Sequence, residues 1–114
     1  MNVELLRRIQ EVIRLKPEAL EMGDWHGKNL CGTTHCIAGW AQVLSGHDES
    51  HRADDEGMEA LELSYEEADR LFYVDVGDGS GWPKEFRGSP DEWKPTPQQA
   101  IARIDHFIAT EGRE

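Results

Sequence analysis

Apolar residues recur at helical spacing along most of this 114-residue chain. Leu5, Leu6, Ile9, Val12 and Ile13 share one side of a helix over 3–16, with Asn2 placed to cap it. Pro17 ends that helix and can open a short turn over 18–22, which Gly23 closes. Residues 24–30, with Trp25, His26 and Gly27, read as loop. A second helix is expected from Thr33 or Thr34 to Ser45, with Ile37, Trp40, Ala41 and Leu44 as its apolar stripe. Gly46 is suited to the left-handed conformation that stops it. Ala38 and Gly39 are small enough for a neighbouring backbone to come close, and Gly39 lowers the helix's own stability, which close packing or a ligand would offset.

Residues 47–55 are polar and read as loop. A helix follows through Met58, Ala60, Leu61 and Leu63. Ser64 then caps another, completed as a capping box by Glu67, with Tyr65, Ala68, Leu71 and Phe72 as apolar positions. From about 73 to 95 the periodicity gives way to Gly, Pro and Trp, and residues 75–83 read as consecutive turns. Thr96-Pro97-Gln98-Gln99 opens the last helix, whose stripe is Ile101, Ile104, Phe107 and Ile108 and whose end is Gly112. Apart from a weak Tyr73-Val74-Asp75-Val76, no segment alternates as a strand would. The pattern predicts an all-α or mostly α fold. It is a single helical domain over 1–114, a compact bundle of four to five short helices with one long Gly/Pro/Trp-rich loop. A loop of about twenty residues is unusual in a compact domain and often functional.

Charge narrows the picture. The net charge is −11, and between residues 48 and 70 stand Asp48, Glu49, Asp54, Asp55, Glu56, Glu59, Glu62, Glu66, Glu67 and Asp69 against only Arg52 and Arg70. Such a surface repels nucleic-acid phosphates and anionic lipid, so direct nucleic-acid or membrane binding is not expected. It is either a solvated face that keeps the chain soluble or a docking face for a basic partner. No apolar run approaches the ~20 residues of a membrane span, and the first residues read as an amphipathic helix rather than a secretory signal. Two cysteines make no disulfide framework, so a cytoplasmic location is expected.

The candidate chemistry gathers at Cys31-Gly32-Thr33-Thr34-His35-Cys36, where both cysteines precede a helix. Three readings stand side by side. A thiol in the first helical turn is favoured as thiolate, so Cys36 is a candidate nucleophile with His35 or His106 as base, His106 having Asp105 beside it and His26 as a further base. The Cys-Gly-x-Cys start of papain-type enzymes is approached but not met, since the second cysteine is displaced by two residues and the chain is too short for that fold. His26, Cys31, His35 and Cys36 are a zinc-ligand set, although their spacing is loose and adjacent His35 and Cys36 diverge on a helix. The plainer reading packs the cysteines at a tight junction. Elsewhere, His47-Asp48-Glu49-Ser50-His51 departs from the zinc-protease motif because no apolar helix carries it. The aspartates of 75–81 miss the calcium-loop spacing. Trp25, Trp82 and Trp93 either close the core or wall a ligand site. No cofactor or metal is implied.

The stretch Cys31-Gly32-Thr33-Thr34-His35-Cys36-Ile37-Ala38-Gly39-Trp40-Ala41 resembles a pattern, Cys-Gly-Thr-x-x-Cys-x-Ala-Gly-x-Ala, in small uncharacterised proteins of bacteria and their phages. The segments 61–72 and 96–108 are similar to theirs too. The resemblance implies a compact α-domain of bacterial or phage origin, cytoplasmic in the host if phage-encoded, and supplies no activity. The expected function is an acidic binding module that engages a host protein or a small-molecule ligand. Its candidate ligand site is the helix start, with Trp25, His26, Cys31, Thr34, Trp40 and Trp82. A cysteine-dependent enzyme or a structural zinc domain are the alternatives. The oligomeric state is not set by the sequence.

Overall fold

The structure, a computed structural model, describes residues 1–20, 26–29, 32–48, 52–74, 81–87 and 95–114. In chain order these form α1 (Val3–Leu15), β1 (His26–Asn29), β2 (Gly32–His35), α2 (Ile37–Leu44), α3 (Ala53–Leu61), α4 (Tyr65–Phe72) and α5 (Pro97–Ala109), with short 3-10 turns at Pro17–Ala19 and Lys84–Phe86. The fold is mostly α. One hydrophobic core draws on all five helices, with Leu6, Ile9, Ile13, Ile37, Leu61, Leu71, Ile104 and Phe107 fully enclosed.

Local signals account for most of the helix ends. Asn2 accepts the Leu5 N–H at 3.0 Å, while its own backbone N–H donates to the Leu61 carbonyl and its amide to the Ala60 carbonyl, so the start of α1 is tied to the end of α3. Ser64 with Glu67 and Thr96 with Gln99 form complete capping boxes at α4 and α5. Gly46 takes the left-handed conformation after α2, with φ 93°, and the His47 N–H reaches back to the Gln42 carbonyl. At the end of α3 a glutamate, Glu62, takes the same role at φ 58°.

The helix start of α2 differs from the sequence expectation. Thr33 and Thr34 do not cap it. They belong to β2, which pairs antiparallel with β1 in the register His26↔His35, Gly27↔Thr34, Lys28↔Thr33 and Asn29↔Gly32. Cys36 is the cap instead, its Sγ accepting the Gly39 N–H at 3.4 Å. The expected loop over 24–30 is therefore in part a strand. Likewise, α3 begins at Ala53, inside the segment read as loop; no side chain caps it, and the local start signal the sequence offers is the acidic first turn of Asp54, Asp55 and Glu56.

The close backbone approach expected behind Ala38 and Gly39 is made by Ala38 against Gly57 of α3: a Cβ on Gly57 would lie 2.9 Å from the Ala38 carbonyl oxygen. In the Gly/Pro/Trp-rich segment, Trp82 is fully buried and its Nε1–H donates to the Leu71 carbonyl at 2.7 Å. Its backbone N–H donates to the Val74 carbonyl, and a Cβ on the preceding Gly81 would strike that carbonyl. Between α1 and α5, buried Gln10 donates to the Ile101 carbonyl and to the Asp105 carboxylate, both at 2.9 Å, and Arg7 pairs with the same carboxylate. Among the described residues no helix is long and apolar enough to cross a membrane.

Candidate functional site

The residues singled out at the helix start are only partly among the described ones. Cys36 is 2% exposed and packed in the core. Around the neighbouring Tyr73 gather Asp54, Asp69, Cys36 and Asp55, and the phenol is pushed above its ordinary range first by burial and then by these acidic groups. Thr34 and His35 lie on β2 and His26 on β1, with His26 and His35 directly paired in the ladder. His106 sits on α5, stacked at 5.2 Å on Phe86 and 4.0 Å from the Glu114 carboxylate, so its surroundings are the α5 side of the molecule.

Trp40 is half-buried against the core. Trp82 is buried with its N–H engaged, so the wall it forms is part of the core and not of an open site. Trp25, Cys31, His51 and Trp93, the closing Gly23, and the turns at 75–80 lie outside the described residues. The zinc set His26, Cys31, His35 and Cys36 is thus only partly described. Among the described residues no three His, Cys, Asp or Glu side chains are placed to share a metal ion.

The acidic residues of α3 and α4, by contrast, include several that are exposed. On α3 and its end, Asp55, Glu59 and Glu62 are exposed at the spacing i, i+4, i+7, which puts them in one stripe. On α4, Tyr65, Glu66 and Asp69 are exposed, and Tyr65 and Asp69 are neighbours at i, i+4. Tyr65, read from the sequence as one of the apolar positions of α4, is 73% exposed in the first turn of that helix, whereas Ala68, Leu71 and Phe72 are buried. An outward aromatic flanked by carboxylates is what sequence periodicity missed. Its first-turn position beside the Ser64 cap was the available signal.

The electrostatics of that stripe are uneven. Asp54, Asp55 and Glu56 occupy the first turn of α3, where the helix dipole favours them. Glu59 and Glu62 stand at the opposite end, beside the terminal carbonyls, and the last turn contains no basic residue to offset them. Like charges at i, i+4 add a further small cost. Two acids are therefore held where the fold itself is better served by cations.

A groove lies next to the stripe, where the start of α1 meets the ends of α2 and α3. It has a volume of about 480 Å³, with Leu5, Leu44 and His47 among its lining residues and Glu4, Arg8 and Glu59 as the charged ones. Comparison of the chain with protein-family models, curated proteins and solved structures finds no match in any of the three.

Proposed function

We propose that this chain is a small acidic binding module that docks on a basic surface of another protein. The observation that carries this reading is the placement of Glu59 and Glu62 at the dipole-disfavoured end of α3, with Asp55, Tyr65, Glu66 and Asp69 also exposed on α3 and α4. A face shaped only for solubility has no need of acids at that end, and any basic substitution there would stabilise the helix. Tyr65 supplies an aromatic anchor of the kind that dominates interface energetics, and its ring face is suited to an arginine or lysine of the partner. The resemblance to small bacterial and phage proteins makes a modulator of a host protein the concrete form of the proposal, and an acidic face of this kind competes for surfaces that otherwise bind nucleic acid.

The test is charge reversal at Glu62 and Glu66, read by calorimetric titration against a lysine- and arginine-rich peptide. Glu67 is left in place because its carboxylate accepts the Ser64 N–H of the capping box. Affinity is expected to fall at least tenfold in Glu62→Lys/Glu66→Lys. Unchanged affinity would reduce the acidic face to a solubility device.

A further inference from the structure

Ser45, His47 and Glu56 form a chain of polar contacts, and Ser45 and His47 line the groove. Ser45 Oγ lies 2.9 Å from His47 Nδ1, and His47 Nε2 lies 3.2 Å from Glu56 Oε2. The fold assembles this chain from two elements. Gly46, at φ 93°, turns the backbone after α2 and lets His47 return onto Ser45. Glu56 stands in the first turn of α3 beside Gly57, whose missing Cβ allows α3 to lie against Ala38 of α2. The Glu56 side chain is only 17% exposed, and its other oxygen accepts from the fully buried Gln42 amide at 3.4 Å. A carboxylate only accepts, so Glu56 places the imidazole proton on Nε2 and leaves the Nδ1 lone pair toward Ser45. The Ser45 hydroxyl also lies 2.9 Å from the Gln42 carbonyl, which already receives the His47 N–H at 3.1 Å. Its hydrogen can therefore rotate to His47 without leaving that carbonyl unpaired.

The groove supplies what such a chain acts on. Arg8 directs Nη1 at the Leu44 carbonyl, in the peptide that leads into Ser45, at 3.4 Å, and keeps its positive charge there. The N-terminal end of α1 borders the same space, so both favour an oxyanion forming beside Ser45. Leu5 and Leu44 offer apolar surface, and the carboxylates of Glu4 and Glu59 disfavour a substrate that is itself anionic.

We propose that Ser45 is an acyl-accepting nucleophile, with His47 as its general base and Glu56 as the residue that positions His47, in the hydrolysis of small uncharged carboxylic esters. Ser45 Oγ bonds to the ester carbonyl carbon as its proton passes to His47 Nδ1. The bond from that carbon to the alcohol oxygen breaks, and the departing alcohol takes the proton. Water then attacks the acyl-serine and gives a proton to His47. The Ser45 oxygen leaves with that proton, and the carboxylic acid is released. This activity goes beyond the docking face and does not depend on it.

The experiment follows p-nitrophenyl acetate hydrolysis by the full chain and locates the transient acetyl group by peptide mass after an acid quench. Ser45 and His47 are exposed, and thermal melting establishes that each variant is folded. The wild type is expected to turn over and to carry the acetyl group on Ser45. Ser45→Ala and His47→Gln are each expected to lower kcat/KM at least about a hundredfold. Glu56→Gln is expected to lower kcat about tenfold and leave KM within about twofold, a split that loss of substrate binding would not give. A wild type no faster than free imidazole at the same concentration would overturn the proposal. So would a rate that survives Ser45→Ala, or acetylation confined to lysine or histidine. An unchanged kcat in Glu56→Gln would remove Glu56 from the chain. Binding of a basic peptide is expected to be the same in Ser45→Ala as in the wild type, which separates this outcome from that of the docking face.

Discussion

Cys36 caps α2 with a sulfur where an oxygen is the usual acceptor, and it does so from inside the core. Removing the acceptor in Cys36→Ala is expected to cost about 1 kcal/mol in urea unfolding, the typical loss of a helix cap. Alkylation at Cys36, read by peptide mass, is expected only as the protein unfolds; rapid labelling of the native chain at neutral pH would point to a poised nucleophile instead. Arg103 is the second residue with an unusual environment. It is fully buried, its Nη2 donates to the Arg70 carbonyl at 3.1 Å, and its Nε and Nη1 have no acceptor among the described residues. The Phe86 and Phe107 rings lie 5.9 and 5.5 Å from its guanidinium, and burial lowers its pKa to about 10. A buried cation so poorly satisfied is costly, so Arg103→Met is expected to leave stability unchanged or raise it by roughly 1–4 kcal/mol. A loss of several kcal/mol would show that the aromatic contacts repay the desolvation. Asp105 behaves in the opposite sense. The hydrogen bond from Gln10 outweighs the opposing effect of burial, and Arg7 adds to it, so its carboxyl is held below the ordinary value. A depressed folded-state pKa contributes stability above the unfolded value near 4, and that contribution is lost as pH falls through the lower folded value. Asp105→Asn is expected to flatten that acid limb in pH-dependent melting.

At the scale of elements, the crossing of α2 on α3 depends on Gly57. In Gly57→Ala the new methyl meets the Ala38 carbonyl oxygen and Cα, so the helices must separate, and a loss of about 1–3 kcal/mol is expected despite alanine's better helix propensity. Trp82→Ala removes a fully buried ring and leaves the Leu71 carbonyl without its donor, for an expected cost of about 3–5 kcal/mol in the same measurement. The elements also show why some of the fold was legible and some was not. Helices α1, α4 and α5 announce themselves through periodicity and through Asn2, Ser64–Glu67 and Thr96–Gln99, because caps act within four residues of the chain. The hairpin does not. His-Gly-Lys-Asn and Gly-Thr-Thr-His have no alternation, and their pairing is settled between strands, not within them. Once β2 takes Thr33 and Thr34, the cap passes to Cys36, a residue with little intrinsic preference for that position. The uncapped start of α3 is marked by its acidic first turn, Asp54, Asp55 and Glu56, which the longer acidic run around it hides. Tyr65 was misread because helical spacing alone does not distinguish an apolar position in the core from an aromatic in an exposed first turn.

Across the whole molecule, the charge is segregated in a way that opposes stability. Glu59 and Glu62 lie at the wrong end of α3 within a chain of net charge −11. Glu59→Lys and Glu62→Lys are each expected to raise stability by about 0.3–1 kcal/mol at low salt through the helix dipole, and at the same time to weaken binding of a basic peptide. Stability and binding moving together would contradict a functional role for those acids. The candidate site was only half legible for the same reason: the acidic run is plain in the sequence, but the stripe, its aromatic anchor and the groove shared with Glu4 exist only once α1, α3 and α4 are assembled. The most direct measurement is the footprint of a lysine- and arginine-rich peptide on the amide spectrum of the labelled protein. Shifts are expected to concentrate at Asp55, Glu59, Glu62, Tyr65, Glu66 and Asp69. A footprint centred on the Cys36 helix start, or none at all, would contradict the acidic face as the working surface of this protein.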